Sequence, residues 1–258
     1  MSLPVFLHPD LSTATIGSVV ELAGPEARHA ITVKRLGIGS EIELVDAQLN
    51  RRIRAMISHT AGKAALQAEV LGISDEIPAD PRVSIVQAIP KAERSELAID
   101  LGTQAGADAF IAWQSQRTVA KWTAGTKAEK GIAKWQTQAA QSAKQARRAT
   151  IPAVSGPLNT AQVVQWLEKE RAENLAAGQN LQILVLHEAG ATALKDTPVI
   201  QSGHIVLLIG PEGGISPEEI TQLEAVGAQI VVLGPEVLRT ASASMVALAA
   251  LGMVTPRW

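Results

Sequence analysis

The residues best suited to chemistry lie between positions 204 and 244. Arg239 follows Val237 and Leu238, and a guanidinium in such apolar company can steady a developing oxyanion or grip a nucleic-acid phosphate. Upstream, two apolar runs, residues 205–209 and 230–233, each end in the same tripeptide. These are Gly210-Pro211-Glu212 and Gly234-Pro235-Glu236. Glycine lets a ligand come close to main-chain N–H and C=O groups, so such loops suit an adenine or ribose held by backbone hydrogen bonds. Neither loop carries the Lys and Ser/Thr of a phosphate-gripping P-loop, which argues against ATP hydrolysis. The competing reading of Arg239 is a salt bridge to Glu212 or Glu236. Ser242 and Ser244 have no His-Asp arrangement nearby in sequence, so a nucleophilic serine is not expected. His187 and His204 flank strands and read first as structural.

The elements that must position these residues follow from short-range pattern. Apolar runs bounded by Gly and Pro read as buried parallel strands. Ser216-Pro217-Glu218-Glu219 is a helix start, with a Ser cap, Pro at the first helical position and acids in the first turn. A third strand, residues 181–186, ends in His187-Glu188-Ala189-Gly190. Three loops are thus delivered to one edge of a sheet, where α/β folds bind ligands. From Arg82 onward strands alternate with helices: strand 83–88, helix 91–105, strand 107–113, helix 126–148 and helix 160–176. A final segment, 241–253, reads as a buried or interface helix. The alternation predicts an α/β domain with a mainly parallel sheet and helices on both faces.

Residues 1–74 differ in grammar. Short strands are expected at 19–22, 41–45, 52–57 and 66–71, with a helix over 25–36 whose apolar side is Ala30, Val33 and Leu36. His29, Lys34 and Arg35 fall on its other side. The acidic, proline-bearing stretch 75–81 is the linker to a second domain spanning 82–258. Leu36-Gly37-Ile38-Gly39 is not a dinucleotide fingerprint, because the third glycine is missing and a strand follows it.

With 258 residues, 47% apolar and 19% charged, the chain has the profile of a soluble globular protein. It has no cysteine, which excludes disulfides and thiol chemistry and fits a cytoplasmic location. Its five histidines show no metal-ligand spacing, so no metal is expected. No run is long enough to span a membrane, and the first residues lack a signal-type pattern. Charge is unevenly spread: residues 82–150 carry eleven basic and five acidic side chains, while 151–258 carry five and ten. A basic middle is the footprint of phosphate contact, and lysine-rich solvated helix faces are the bland alternative.

Ile209-Gly210-Pro211-Glu212-Gly213-Gly214-Ile215-Ser216, followed by Leu233-Gly234-Pro235 and Val237-Leu238-Arg239-Thr240, resembles the 16S ribosomal RNA uracil-N3 methyltransferases of the SPOUT superfamily. Weaker matches extend over nearly the whole chain: His29 with Val33-Lys34-Arg35, Lys91, Gln114-Ser115-Gln116-Arg117, residues 145–148 before Ile151-Pro152, and His187-Glu188. The resemblance implies an N-terminal PUA-like β-barrel for RNA and a C-terminal SPOUT domain with a deep trefoil knot. It also implies a homodimer, S-adenosyl-L-methionine as methyl donor and 16S rRNA as partner. The donor would be lined by Leu186, Ile209, Gly210, Gly214, Leu233 and Leu238, with His187, Pro211, Glu212, Gly213, Gly234, Pro235, Thr240 and Ala243 from the same loops. Arg239 would face the target base as the catalytic residue. RNA would be bound by His29, Lys34, Arg35, Arg51, Arg52, Arg54, Lys91, Arg117, Lys121, Arg147 and Arg148. The chain departs from the family where Ala241 and Ser242 replace Glu and Thr, where Gln104-Ala105-Gly106 replaces Glu-Leu-Gly, at Ala146, and in lacking an arginine near its start. Two other readings stay open: a SPOUT enzyme with another target, such as a ribose 2′-hydroxyl, and a non-catalytic RNA-binding assembly factor.

Overall fold

The computed structural model describes residues 3–75, 77–91, 94–122 and 125–258. Two compact units emerge. One holds the chain up to Pro78 together with Ala143–Ile151, and the other holds Ala79–Ser142 and Pro152–Trp258. The return of 143–151 to the first unit is a discontinuity that a linear division at 74 and 82 does not contain.

The first unit is a five-stranded sheet in the order β1-β3-β4-β5-β2, with β1 Val5–Leu7, β2 Val19–Ala23, β3 Glu41–Asp46, β4 Arg51–Ala61 and β5 Ala65–Asp75. Apart from the parallel pair β1 and β3, the neighbours are antiparallel. Alternation in β4 puts Ile53, Ala55 and Ile57 in the core beside Phe6, Leu44 and Leu66. Each large aliphatic side chain buried this way is worth at most about 1.5–3 kcal/mol. The predicted helix over 25–36 is shorter than its pattern suggests and changes register partway. Helix α1, Gly24–Arg28, passes into a π-helical turn, His29–Val33. The wider turn rotates the apolar phase, so Ala27 and Ala30 are buried while Val33 is 65% exposed. Val33 therefore does not belong to the inner face. Asp46, 2% exposed, satisfies the N–H groups of Leu11 at 2.9 Å and Gln48 at 2.9 Å, closing the turn after β3.

The second unit is a seven-stranded sheet in the order β10-β12-β9-β11-β6-β7-β8, and every pairing described is parallel. Its strands are β6 Arg82–Ala88, β7 Ala109–Gln114, β8 Ala153–Asn159, β9 Leu181–Leu186, β10 Thr192–Ala193, β11 His204–Ile209 and β12 Gln229–Val232. The alternation of strand and helix read from sequence is present. The start of the helix expected over 91–105 partly lies outside the described residues, and α2 is Arg94–Gln104. Then follow α3 Thr126–Gln145, α4 Thr160–Ala176, α5 Pro217–Ala225 and α6 Thr240–Val254. Val163 and Leu167 of α4 and Leu223 of α5 cover one face of the sheet, packing on Val86, Trp113, Val185 and Leu208. Helices α2 and α6 pack together and α6 meets β11.

All six residues of β11 are buried, as its unbroken apolar run requires for a central parallel strand. Strand β8 is the longest of the strands that pattern reading missed. Its sequence, AVSGPLN, reads as a turn, but β8 sits at the sheet edge, where proline is tolerated. Gly156 there has φ +102, and a Cβ would stand 2.7 Å from the Ala112 carbonyl oxygen.

Candidate functional site

Strand order reverses around β6. The chain runs outward through β7 and β8, returns to β9, and then places β11 between β9 and β6. At such a switch point the carboxyl ends of neighbouring strands splay and leave a crevice. The loops after β9, β11 and β12 meet there around a cavity of about 540 Å³. Leu186 and Ile209 are register partners on neighbouring strands, and both line it. Every residue expected from the resemblance to hold the donor lines this cavity: Leu186, His187, Ile209, Gly210, Pro211, Glu212, Gly213, Gly214, Leu233, Gly234, Pro235, Leu238, Thr240 and Ala243. The tertiary fold has brought together segments more than fifty residues apart in the chain.

Local chemistry shapes each wall. In the first loop, the Gly214 N–H donates to the Pro211 carbonyl at 2.9 Å, closing the turn before the Ser216 cap of α5. That cap forms a full capping box with Glu219. In the third loop, the His187 N–H donates to Val231 O at 3.0 Å, and Nδ1 of His187 accepts from the Ala189 N–H at 3.1 Å. Gly190 then passes so close to β12 that a Cβ would lie 2.6 Å from the carbonyl carbon of Val231. In the second loop, the N–H groups of Gly234, Glu236, Val237 and Leu238 have no partner among the described residues, so they are open to a ligand or water.

Arg239 does not line the cavity, although its neighbours Leu238 and Thr240 do. It is the N-cap residue of α6; its carbonyl takes the Ser242 N–H at 2.9 Å and its side chain is exposed. The salt bridge to Glu212 or Glu236 is not formed: among the described residues Arg239 has no ion pair. Glu212 instead accepts the Lys91 N–H at 3.2 Å. Ala241, 3% exposed, carries no acid into the site.

Arg117, read from sequence as an RNA contact, lines the cavity, and its Nη1 donates to the Gly213 carbonyl at 3.2 Å. Sequence reading overlooked the residue that holds its loop in place. Glu219 looks like an ordinary capping acid, yet it is fully buried and also bonds the Gln116 N–H at 2.9 Å. The only sequence signal was the Ser-Pro-Glu-Glu box, which says nothing of a partner 103 positions away.

The remaining cations divide sharply. In the first unit, Lys34, Arg35 and Arg147 are exposed. Arg51 pairs with Asp75 at 2.9 Å, Arg54 with Glu41 at 3.8 Å, and Arg52 with Glu43 while also donating to the Arg147 carbonyl at 2.8 Å. Arg148 donates to Thr150 Oγ1 at 3.1 Å. His29 is half-buried, edge-on to Phe6 at 6.0 Å. Burial first, then the nearby Lys144 and Lys34, hold its imidazole below the usual histidine range against the opposing charge of Glu26. Lys91, Arg117 and Lys121 belong to the second unit. His204 is wholly buried at the opposite end of the sheet, away from the cavity, with Nε2 2.9 Å from Ser84 Oγ. No cluster able to hold a metal ion occurs among the described residues.

A parallel sheet with a crevice at its reversed strand ends, walled by glycine loops, is the architecture of a nucleotide-handling α/β domain, and residues 78–252 match the family of the RNA methyltransferase domain. A ribosomal RNA small subunit methyltransferase E from Mycobacterium tuberculosis is 44% identical over 94% of this chain and 89% of its own length. The Bacillus subtilis protein of that name is 27% identical over 91% and 90%. The solved structure of ribosomal RNA small subunit methyltransferase E from Neisseria gonorrhoeae, bound to S-adenosyl methionine, gives a TM-score of 0.82 at 25% identity, covering 98% of both chains. The chain belongs to the ribosomal RNA small subunit methyltransferase E family of RNA methyltransferases.

Proposed function

We propose that the chain transfers a methyl group from S-adenosyl-L-methionine to N3 of a specific uridine in 16S ribosomal RNA. The observation that carries this reading is the convergence of three strand-end loops on one cavity. A volume of about 540 Å³ suits a nucleoside-sized ligand, since small-molecule sites run to about 300–1,000 Å³. Apolar walls from Leu186, Ile209, Leu233 and Leu238, with four N–H donors between them that have no partner among the described residues, fit a ligand that joins an aromatic base to polar groups. When bound, S-adenosylmethionine supplies an electrophilic methyl group already activated as a sulfonium.

The chain's own task is therefore to place the uracil and stabilise charge on it. N3 must lose its proton before its lone pair can accept a methyl, which leaves negative charge on the flanking uracil oxygens. Arg239, exposed beside the cavity and free of ion pairs among the described residues, is the residue assigned to that charge. With Ala241 in place of a carboxylate, the N3 proton leaves to water or to a group outside α6. Because N3 is hidden in a paired base, the target uridine is unpaired or flipped.

The reading extends to organisation. Residues 1–74 act as a PUA-like β-barrel and 82–258 as a SPOUT domain whose C-terminal part is knotted, a proposal supported by the insertion of β11 between β9 and β6. Exposed Lys34, Arg35 and Arg147 support RNA binding by the first unit, with Lys91, Arg117 and Lys121 contributing from the second. A homodimer is supported by the outer side of α6, where Met245, Val246, Met253 and Val254 are 41%, 42%, 78% and 51% exposed. Action in the cytoplasm, on the small ribosomal subunit, follows from the substrate. The test is calorimetry with S-adenosylmethionine, followed by mass spectrometry of 16S RNA from a deletion strain before and after treatment with the protein. A new N3-methyluridine is expected; donor binding with a 2′-O-methyl product would replace the target, and no donor binding would leave an RNA-binding factor.

A further inference from the structure

The loop after β7 holds its own shape by local bonds. Gln114 Oε1 accepts the Trp122 N–H at 2.8 Å, its Nε2 donates to Ala120 O at 3.2 Å, and Ser115 Oγ lies 2.8 Å from Thr118 Oγ1. None of these bonds sets where the loop stands against the glycine loop. A side chain from another element does. Glu219, at the third position of α5, returns one oxygen to its cap as a capping box requires, with Oε2 3.1 Å from the Ser216 N–H. Its other oxygen does something capping does not need: Oε1 accepts the Gln116 N–H at 2.9 Å and the Thr160 hydroxyl at 2.5 Å. Thr160 Oγ1 in turn accepts the indole N–H of Trp113 at 3.1 Å.

One carboxylate with no exposed surface thus joins the end of β7, the loop after it, the start of α4 and the start of α5. Burying a carboxylate is costly unless donors surround it, and charge-assisted bonds of this kind are strong and directional. The next residue after Gln116 is Arg117, which rests on Gly213 so closely that a Cβ on that glycine would meet Arg117 Cβ at 3.2 Å. Both loops that flank this corner of the cavity are referred to the same two oxygens.

We propose that Glu219 is a positioning residue for methyl transfer, acting through Gln116 to hold the Arg117 guanidinium as a fixed positive charge at the cavity. This rests on the methyl-transfer reading above. The role of Arg117 is electrostatic, beside the place where the uracil becomes negative. The role of Glu219 is to keep that exposed charge on the Gly213 carbonyl at the cavity, when it would otherwise swing away from the uracil.

The test is a kinetic cycle on full-length protein with Glu219→Gln, Arg117→Ala and the double variant, using undermethylated 16S RNA. A single amide oxygen cannot serve the Ser216 and Gln116 donors together, so Glu219→Gln keeps size but loses one bond. Each single variant is expected to lower kcat roughly tenfold with little change in KM for S-adenosylmethionine, and the double variant should be no slower than Arg117→Ala alone. Hydrogen exchange at the Gln116 amide should speed up in Glu219→Gln while the β7 amides stay protected. Glu219→Asp, which leaves the Ser216 Oγ bond to the backbone N–H of position 219 in place but is too short to reach Gln116, gives the same loss if Glu219→Gln folds poorly. Multiplying defects in the double variant, or full kcat with the Gln116 amide released, overturns the proposal while leaving the methyltransferase intact. Absence of transfer by the unaltered protein overturns both.

Discussion

The parallel sheet has two ends, and the chain treats them oppositely. At the amino end polar groups are matched to one another. Arg82 Nη2 lies 2.6 Å from Glu170, His204 Nδ1 lies 3.1 Å from the same carboxylate, and Asp80 accepts the Gly203 N–H at 2.7 Å. Asp108 takes the Val83 N–H at 2.7 Å and Arg257 at 2.8 Å, and Arg257 also donates to the carbonyls of Pro81 and Gly106. At the carboxyl end, Arg239 stands without an ion pair among the described residues and a run of loop N–H groups is left open. Polar contacts at the amino end are mutually satisfied, and at the carboxyl end the Glu219 network behind the loops is satisfied as well, so the difference lies in the loop donors that face the cavity. Unspent donors collect where a ligand would supply the missing partners.

The contrast can be broken from either side. The largest effect is expected at the open end: Arg239→Ala should lower kcat by about 10²–10³, as loss of one oxyanion donor does, with donor affinity and melting temperature unchanged. Calorimetry and single-turnover rates check this, and an unaltered rate would remove Arg239 from the chemistry. At the closed end, Arg257→Ala strips a guanidinium whose side chain is 5% exposed from a carboxylate and two carbonyls. A cost of about 3 kcal/mol is expected, with kcat per folded molecule retained. Denaturant titration alongside activity decides it. Gly190→Ala mixes the two ends' behaviour, because its new methyl meets the β12 backbone. Donor affinity should fall roughly tenfold, about 1.4 kcal/mol, with a smaller loss of stability than Arg257→Ala gives.

The smallest effect is a pH dependence. The His204 hydrogen bond, and then the charges of His204 and Arg82, hold the Glu170 carboxyl below the usual glutamate range against the opposing effect of burial. A depressed folded value means the contribution is complete above the ordinary value near 4.5 and is lost as pH falls through the lower folded one. Because Arg82 is half-exposed, about 1 kcal/mol is expected. Glu170→Gln should therefore narrow the gap to the unaltered protein as melting is followed from pH 6 down to about pH 3. A gap that widens on acidification would contradict the assignment.

Much of this was legible in the linear chain. The short apolar runs at residues 205–209 and 181–186 read as buried parallel strands, and the structure has β11 and β9 there. The repeated Gly-Pro-Glu marked the loops, and Ser216 with Pro217 marked the start of α5. What failed to show was short or disguised. Strand β1 has three residues and β10 has two, too few for any period. Strand β8 hides behind Gly-Pro because its pairing depends on lying at the sheet edge beside β7. The return of 143–151 to the first unit was invisible too: the chain up to 148 reads as one continuous helix, and nothing local marks Ala149 as a residue that packs on Val5 and Val45.

By itself the sequence determined the local elements, the three glycine loops and the family they resemble, because periodicity, caps and turn residues act over a few positions. Only the tertiary structure decided which donors stay open and which charges are spent. Arg51 and Arg52 look as free as Lys34 and Arg35 in the chain, yet the fold closes them onto Asp75 and Glu43. Glu219 looks like one more capping acid until burial leaves its second oxygen facing Gln116. A side chain's partner is set by distance in space, and no spacing along the chain records contacts made across a hundred residues.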